Sequence, residues 1–234
     1  MIIMVRKILL AIIIFVAGTS CSSESPSRNT SQTESQPVAG EDVRPVVLCL
    51  GTSLTAGMGV GVEFSYPALI QEKIDSVGSS FRVVNAGESG GTSAGGVRRI
   101  DWLLRQPVAV LVLELGANDG LRGQDITALR ANLQAIIERT LDVHPDAQII
   151  IAGMEAPPNL GQEYTSEFRT VFVDVAQQNG APLIPFILEG VAGIPEFNQS
   201  DGIHPTAEGQ RIMAETVWQV LEPVLQSLGS VEPV

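Results

Sequence analysis

From Arg44 onward, short apolar runs rich in β-branched residues alternate with longer amphipathic stretches, and this alternation constrains the fold more than any other feature. The apolar runs fall at 46–50, 81–86, 109–115, 148–153 and 182–187. Each has the length of a strand, and their near-continuous apolar character suits strands covered on both faces. Helical patterns lie between them at 66–77, 94–105, 126–143 and 164–178, and a last one follows at 206–228. Strands separated by helical segments pair in parallel, because parallel neighbours need a crossover that a tight hairpin cannot provide. The expectation is one three-layer α/β domain over 44–228, with a five-stranded, doubly wound parallel sheet of flavodoxin-like order 2-1-3-4-5. Residues 229–234 are read as a tail, and no internal repeat is visible.

This architecture places chemistry on the loops that leave the carboxyl ends of the strands. After the first strand comes Gly51-Thr52-Ser53-Leu54-Thr55, and after the second Gly87-Glu88-Ser89-Gly90-Gly91. Gly116-Ala117-Asn118-Asp119-Gly120 follows the third, and Asp201-Gly202-Ile203-His204-Pro205 comes after the fifth. Singly, each segment has an ordinary structural use. Ser53 suits a helix cap, Gly90 a tight turn, and Asn118 and Asp201-Gly202 are turn signals. Together they bring a hydroxyl, glycines, a carboxamide and an Asp/His pair to one rim, which is the set of groups acyl transfer needs.

In order and spacing the four segments resemble the four blocks of the SGNH (GDSL-type) hydrolases, across the domain from Val46 to about Leu225. Val83-Val84-Asn85-Ala86, Glu114-Leu115-Gly116 and Asn118-Asp119-Gly120-Leu121-Arg122-Gly123 look like the periplasmic thioesterase/lysophospholipase and arylesterase branch. The resemblance implies Ser53 as nucleophile, His204 as base and Asp201 as the acid that completes the triad. It also implies an oxyanion hole from Ser53, Gly90 and Asn118, and a small-molecule ester or thioester substrate with no cofactor. A carbohydrate O-acetyl esterase is an alternative within the same chemistry, and a catalytically silent SGNH-like binding module is an alternative outside it. Two positions depart from the family pattern. Thr52 stands where Gly-Asp-Ser-Leu has its Asp, and Gly91 replaces a polar residue. Thr52 is expected to hydrogen-bond the turn locally, without charge.

The implied roles are chemically coherent. A serine hydroxyl is a poor nucleophile until a base takes its proton, and His does this near neutral pH once a carboxylate fixes its tautomer. Asp201 lies three residues before His204, so a turn brings its carboxylate to one ring nitrogen while the other faces Ser53. Asp119 is expected to brace its own turn instead. The other histidine, His144, falls between a helix and the fourth strand at the opposite rim, where a helix-end role near the C-terminal dipole is expected. One rival remains, since Gly87-Glu88-Ser89-Gly90-Gly91 matches the G-x-S-x-G nucleophile elbow and would make Ser89 the nucleophile. In that arrangement the acid and base generally come from separate loops, whereas here they are three residues apart. The loop Met154-Glu155-Ala156-Pro157-Pro158-Asn159-Leu160 lies on the active rim and is a candidate wall for an acyl pocket.

Composition excludes several other classes. The formal net charge is -12, so a nucleic-acid partner would be repelled. Two histidines and two cysteines, widely separated, give no metal-ligand spacing. Gly57-Met58-Gly59-Val60-Gly61 lacks the spacing and downstream acid of a dinucleotide fingerprint. Cys49, inside an apolar run, reads as a small buried hydrophobe.

At the amino terminus Arg6 and Lys7 precede an apolar run at 8–16 and the small residues Ala17, Gly18, Thr19 and Ser20. This is the layout of a signal peptide over 1–20. The following Cys21 resembles the lipidated cysteine of a bacterial lipobox, with Gly18 in place of the usual Leu. Residues 21–43 are rich in Ser, Thr, Glu, Gln and Pro and read as a disordered tether. The expectation is an exported protein held in the cell envelope by a lipid on Cys21.

Overall fold

The structure is a computed structural model that describes residues 42–229. The expected signal peptide at 1–20, Cys21, the tether as far as residue 41 and the tail from residue 230 lie outside the described residues.

The chain runs β1 (Val46–Gly51), α1 (Ser53–Ala56), α2 (Tyr66–Ser76), β2 (Arg82–Gly87), α3 (Ser93–Leu103) and β3 (Val108–Glu114). It continues through α4 (Ala117–Leu121), α5 (Ile126–Val143), β4 (Gln148–Ala152), α6 (Gln162–Gln178), β5 (Leu183–Ile184) and α7 (Ala207–Gly229). The five strands form one sheet in the order β2-β1-β3-β4-β5, and every neighbouring pair is parallel. This is the expected flavodoxin-like order. The chain moves outward from β1 to β2, then back across β1 to β3 and onward to β5. Right-handed crossovers therefore put α2 on one face and α3, α5 and α6 on the other. The packing agrees, with α2 against α7, α3 against α5 and α5 against α6.

The core sits where two helical layers meet the sheet. Val46 to Leu50 of β1 and Val110 to Leu113 of β3 have no solvent exposure, which is why these strands read as unbroken apolar runs. Cys49 belongs to this core, and burial pushes its thiol up to about 12, so it acts as a small hydrophobe. Among the described residues no helix is long and apolar enough to cross a membrane.

Three differences from the sequence reading have local causes. β5 is only Leu183–Ile184, not 182–187. Pro182 and Ile184 face β4 through their carbonyls, but the Gly153 carbonyl accepts from Ile187 and not from the next alternate residue, Phe186, so the chain falls out of step and the ladder ends. The short helices α1 and α4 were not expected, because four or five residues are too few to display a helical period. The Asn118-Asp119-Gly120 stretch, read as a turn, lies inside α4, which Gly116 enters from a positive φ of 119°.

Candidate active site

Strand β1 ends at Gly51 on the carboxyl rim, and the chain turns at once into α1. A side chain on Gly51 would run into Thr55 and the Glu114 carboxylate, so glycine is what lets the turn sit this close to β3. Thr52, not Ser53, caps α1: its Oγ1 accepts from the Leu54 N–H at 3.3 Å. Ser53 is thereby left without a capping duty, and its hydroxyl lies at the edge of a cavity.

The last loop reaches the same point. Asp201 Oδ1 accepts from the backbone N–H of Ile203 and of His204, both at 3.0 Å, which closes the turn. The Gln199 N–H donates to the His204 carbonyl at 2.7 Å and holds the loop from the other side. His204 Nδ1 lies 2.7 Å from Asp201 Oδ2, and its Nε2 lies 2.9 Å from Ser53 Oγ. A carboxylate only accepts, so the ring proton belongs on Nδ1, and Nε2 is free to accept from the serine hydroxyl. The hydrogen bond from the His204 ring, then those from the two backbone N–H groups, hold the Asp201 carboxyl at about 2. Asp201 therefore stays ionised wherever His204 has work to do.

The other two loops converge opposite. Gly90 adopts a φ of 77°, which glycine accepts without strain, and its carbonyl accepts from Arg122 at 3.2 Å. Asn118 Nδ2 donates to the Gly91 carbonyl at 2.9 Å, which fixes the carboxamide and leaves its second hydrogen. The Ser53 N–H, in the first turn of α1, has no partner within the helix. Ser53, Gly90, Asn118 and His204 all line one cavity of about 640 Å³. Its walls are largely apolar, from Leu54, Met58, Leu121, Met154, Phe186 and Leu188, with Glu155 and Asn198 among the polar residues. Ala156 and Pro157, from the loop expected to wall an acyl pocket, line it as well.

The remaining singled-out residues stand outside the hydrogen-bonded row of Asp201, His204 and Ser53. Ser89 is exposed at the mouth of this cavity, while the imidazole bonds Ser53. His144 caps the end of α5, and its Nε2 lies 3.0 Å from the Leu104 carbonyl at the far rim. Asp119 is buried and bonds Ser93, not His204.

Glu114 is the residue the sequence reading missed as part of the site. It closes β3 with no solvent exposure, and its carboxylate accepts from the Thr52 N–H at 2.9 Å, Thr52 Oγ1 at 3.0 Å and Thr55 Oγ1 at 2.7 Å. Thr52 bonds within its own turn as expected, through the Leu54 N–H, and its hydroxyl also reaches the carboxyl group at the end of the neighbouring strand β3. Burial pushes Glu114 up to about 7, against the opposing pull of its hydrogen bonds. The available signal was a lone Glu at the end of an otherwise apolar strand.

A hydroxyl, an imidazole and a carboxylate in one hydrogen-bonded row, on the carboxyl rim of a doubly wound sheet, equip a fold of this class for ester hydrolysis. Residues 49–212 match the GDSL-like Lipase/Acylhydrolase family. Esterase TesA of Pseudomonas aeruginosa is 39% identical over 180 residues, which cover 76% of this chain and 89% of that protein. Thioesterase 1/protease 1/lysophospholipase L1 of Escherichia coli K12 is 37% identical over 182 residues, covering 76% and 84%. The crystal structure of the psychrotrophic esterase EstA from Pseudoalteromonas, inhibited by monoethylphosphonate, matches with a TM-score of 0.73 at 31% identity. That match covers 77% of this chain and 98% of EstA. The chain belongs to the GDSL-like lipase/acylhydrolase family and is a carboxylic ester hydrolase.

Proposed function

We propose that the protein hydrolyses carboxylic esters and thioesters through an acyl-enzyme on Ser53. The observation that carries this reading is the unbroken row from Asp201 Oδ2 through His204 to Ser53 Oγ, at 2.7 and 2.9 Å. Ser53 Oγ attacks the acyl carbonyl carbon as its proton passes to His204 Nε2. The carbonyl oxygen takes the negative charge, facing the N–H groups of Ser53 and Gly90 and the Asn118 amide. The tetrahedral adduct collapses as the bond to the leaving oxygen or sulfur breaks, and His204 gives that atom the proton. Water then attacks the acyl group, loses a proton to Nε2, and the acid departs as Ser53 recovers its hydrogen. Asp201 orients the ring and stabilises the imidazolium throughout.

The apolar cavity supports an acyl chain longer than acetyl, and so a substrate of the esterase, thioesterase or lysophospholipase kind rather than an acetylated sugar. Kinetics on p-nitrophenyl acyl esters, acyl-CoAs and acetylated sugars tests this. A fluorophosphonate adduct located by mass spectrometry tests the nucleophile. Attachment at Ser53 is expected, attachment at Ser89 would reverse the assignment, and no attachment would favour a silent binding module. The amino-terminal pattern supports export and envelope anchoring through Cys21. Cys21→Ala is expected to release the protein from the membrane fraction and abolish fatty-acid labelling.

A further inference from the structure

We infer that Glu114 is a positioning residue for the nucleophile turn, holding Ser53 in register with His204 through the two threonines that bracket it. This rests on the reading of Ser53 as nucleophile. Glu114 does not touch Ser53. It takes the N–H and hydroxyl of Thr52 on one side of Ser53 and the hydroxyl of Thr55 on the other. Both threonines are wholly buried, so no water replaces a lost partner cheaply. The carboxylate also lies against the Gly51 backbone, where no side chain fits between. A turn clamped at both ends and pressed from below has little freedom to move Ser53 Oγ off the Nε2 of His204.

The clamp extends to a second element. While Glu114 is ionised, Thr55 gives it its one hydroxyl proton, so at 2.9 Å the Tyr66 hydroxyl is the donor to Thr55. The order Tyr66 to Thr55 to Glu114 therefore runs one way and ends on the carboxylate.

Thr52 explains why the charge matters here. An Asp at that position, as in Gly-Asp-Ser-Leu, would set a second carboxyl against Glu114, and two carboxyls in contact share a proton. Thr52 donates instead, so the turn has one carboxylate and three donors for it. A protonated Glu114 would carry a hydrogen toward a threonine hydroxyl that would then have to accept it, and a Thr55 hydroxyl turned this way would donate to Tyr66 and reverse the order.

The groups facing Glu114 leave it free to titrate alone. Cys49 of β1 stays protonated up to about 12, and Tyr66 of α2 is held above its ordinary value by burial. Arg99 of α3 ends on the Gly51 carbonyl and the Glu88 carboxylate. Burial pushes Glu114 itself up to about 7, so the clamp is ionised on the alkaline side of neutrality.

The test compares wild type with Glu114→Gln, Thr55→Val and the double variant Thr52→Asp/Glu114→Gln. At about pH 8.5, Glu114→Gln is expected to lose roughly 10- to 100-fold in kcat and in the rate of Ser53 phosphonylation, with KM within about twofold. The ratio of wild type to Glu114→Gln should shrink at about pH 5.5, where wild type also carries a neutral group. The double variant should recover much of the loss, because Asp at position 52 restores one carboxylate that the Gln amide can serve. An unchanged kcat for Glu114→Gln, or a ratio that stays flat with pH, would reduce Glu114 to a fold-stabilising residue. If Glu114→Gln does not fold, Thr55→Val decides: a lowered kcat supports the clamp and an unchanged one overturns it. A wild-type adduct on Ser89 would sink the nucleophile reading instead, and the two failures are told apart by the site of labelling.

Discussion

The Asp119 carboxylate closes on Ser93, accepting from its backbone N–H at 2.9 Å and its hydroxyl at 2.6 Å. Asn132 of α5 donates to the same hydroxyl at 2.9 Å, so the junction is tied from a third side. Ser93 opens α3, directly after the loop that carries Gly90, and Asp119 directly follows Asn118 in α4. The two loops proposed to supply oxyanion donors therefore share one buried anchor, although the residues it joins are 26 apart in the chain. Asn118 to the Gly91 carbonyl and Arg122 to the Gly90 carbonyl add two cross-ties. Donors fixed before charge develops need no reorganisation when it does, which is where such a site gains its rate.

Asn118→Ala tests the side-chain donor directly. Its loss should lower kcat by roughly 10²–10³ with little change in KM, because the bond matters in the transition state rather than the ground state. Steady-state kinetics on a short acyl ester reads both constants. Since Asn118 also bonds Gly91, the Ala variant needs its melting temperature measured alongside. An unchanged kcat in a folded variant would leave Asn118 a loop tie and nothing more.

Strand order and the converging loops were legible because they depend on chain-wide patterns. Apolar runs at strand length separated by helical periods leave few ways to build a sheet, and the order β2-β1-β3-β4-β5 followed. The Asp201–His204 spacing made the turn readable, and its carboxylate-to-ring contact at 2.7 Å is the expected one. Apart from the Ser53–His204 contact that the family resemblance implied, interactions between residues far apart in sequence were not legible. Thr52 and Glu114 are separated by 62 positions, and nothing in either local pattern announces a bond between them. Asp119 was expected to brace its own turn, while its actual partner, Ser93, lies in another element. The short α1 and α4 escaped for a different reason, since one helical turn has no period to detect.

The cavity predicts a chain-length dependence. Each methylene moved from water onto the walls formed by Leu54, Met154, Phe186 and Leu188 gains about 0.8 kcal/mol, or roughly fourfold in kcat/KM. Rates on p-nitrophenyl esters should climb by about that factor per carbon from acetyl upward and flatten once the cavity is full. A maximum at acetyl would contradict an acyl role for this cavity and turn attention to sugar acetates.

Glu114 predicts an unusual dependence of stability on pH. Its folded value of about 7 lies above the ordinary 4.5, so the native state holds the proton more tightly than the unfolded chain. The stability linked to this group is fully present below about 4.5 and is lost as pH rises through about 7. The total is about 3 kcal/mol, from 1.36 kcal/mol per unit. Urea midpoints across this window should fall more steeply with rising pH for wild type than for Glu114→Gln, which has no proton to lose. Parallel curves would show that Glu114 does not titrate there.

The last comparison separates the two aspartates that stand near the proposed donors and base. Asp201 is exposed on its own turn, and its Oδ2 meets the His204 ring. Asn in its place has the same shape but holds the imidazole in the wrong tautomer, so Asp201→Asn should lose roughly 10²–10⁴ in kcat while melting like wild type. Asp119 is buried with only 2% of its surface exposed, and both its oxygens serve Ser93. Asn in its place keeps one acceptor and turns an amide N–H₂ toward a donor, so Asp119→Asn should cost about 1–3 kcal/mol of stability. Its kcat should fall by no more than about tenfold, as the anchor between the two loops loosens without altering the base. Kinetics and thermal melts on both variants read the two effects separately. If Asp119→Asn lost more activity than a folded Asp201→Asn, the acid of the triad would have been assigned to the wrong residue.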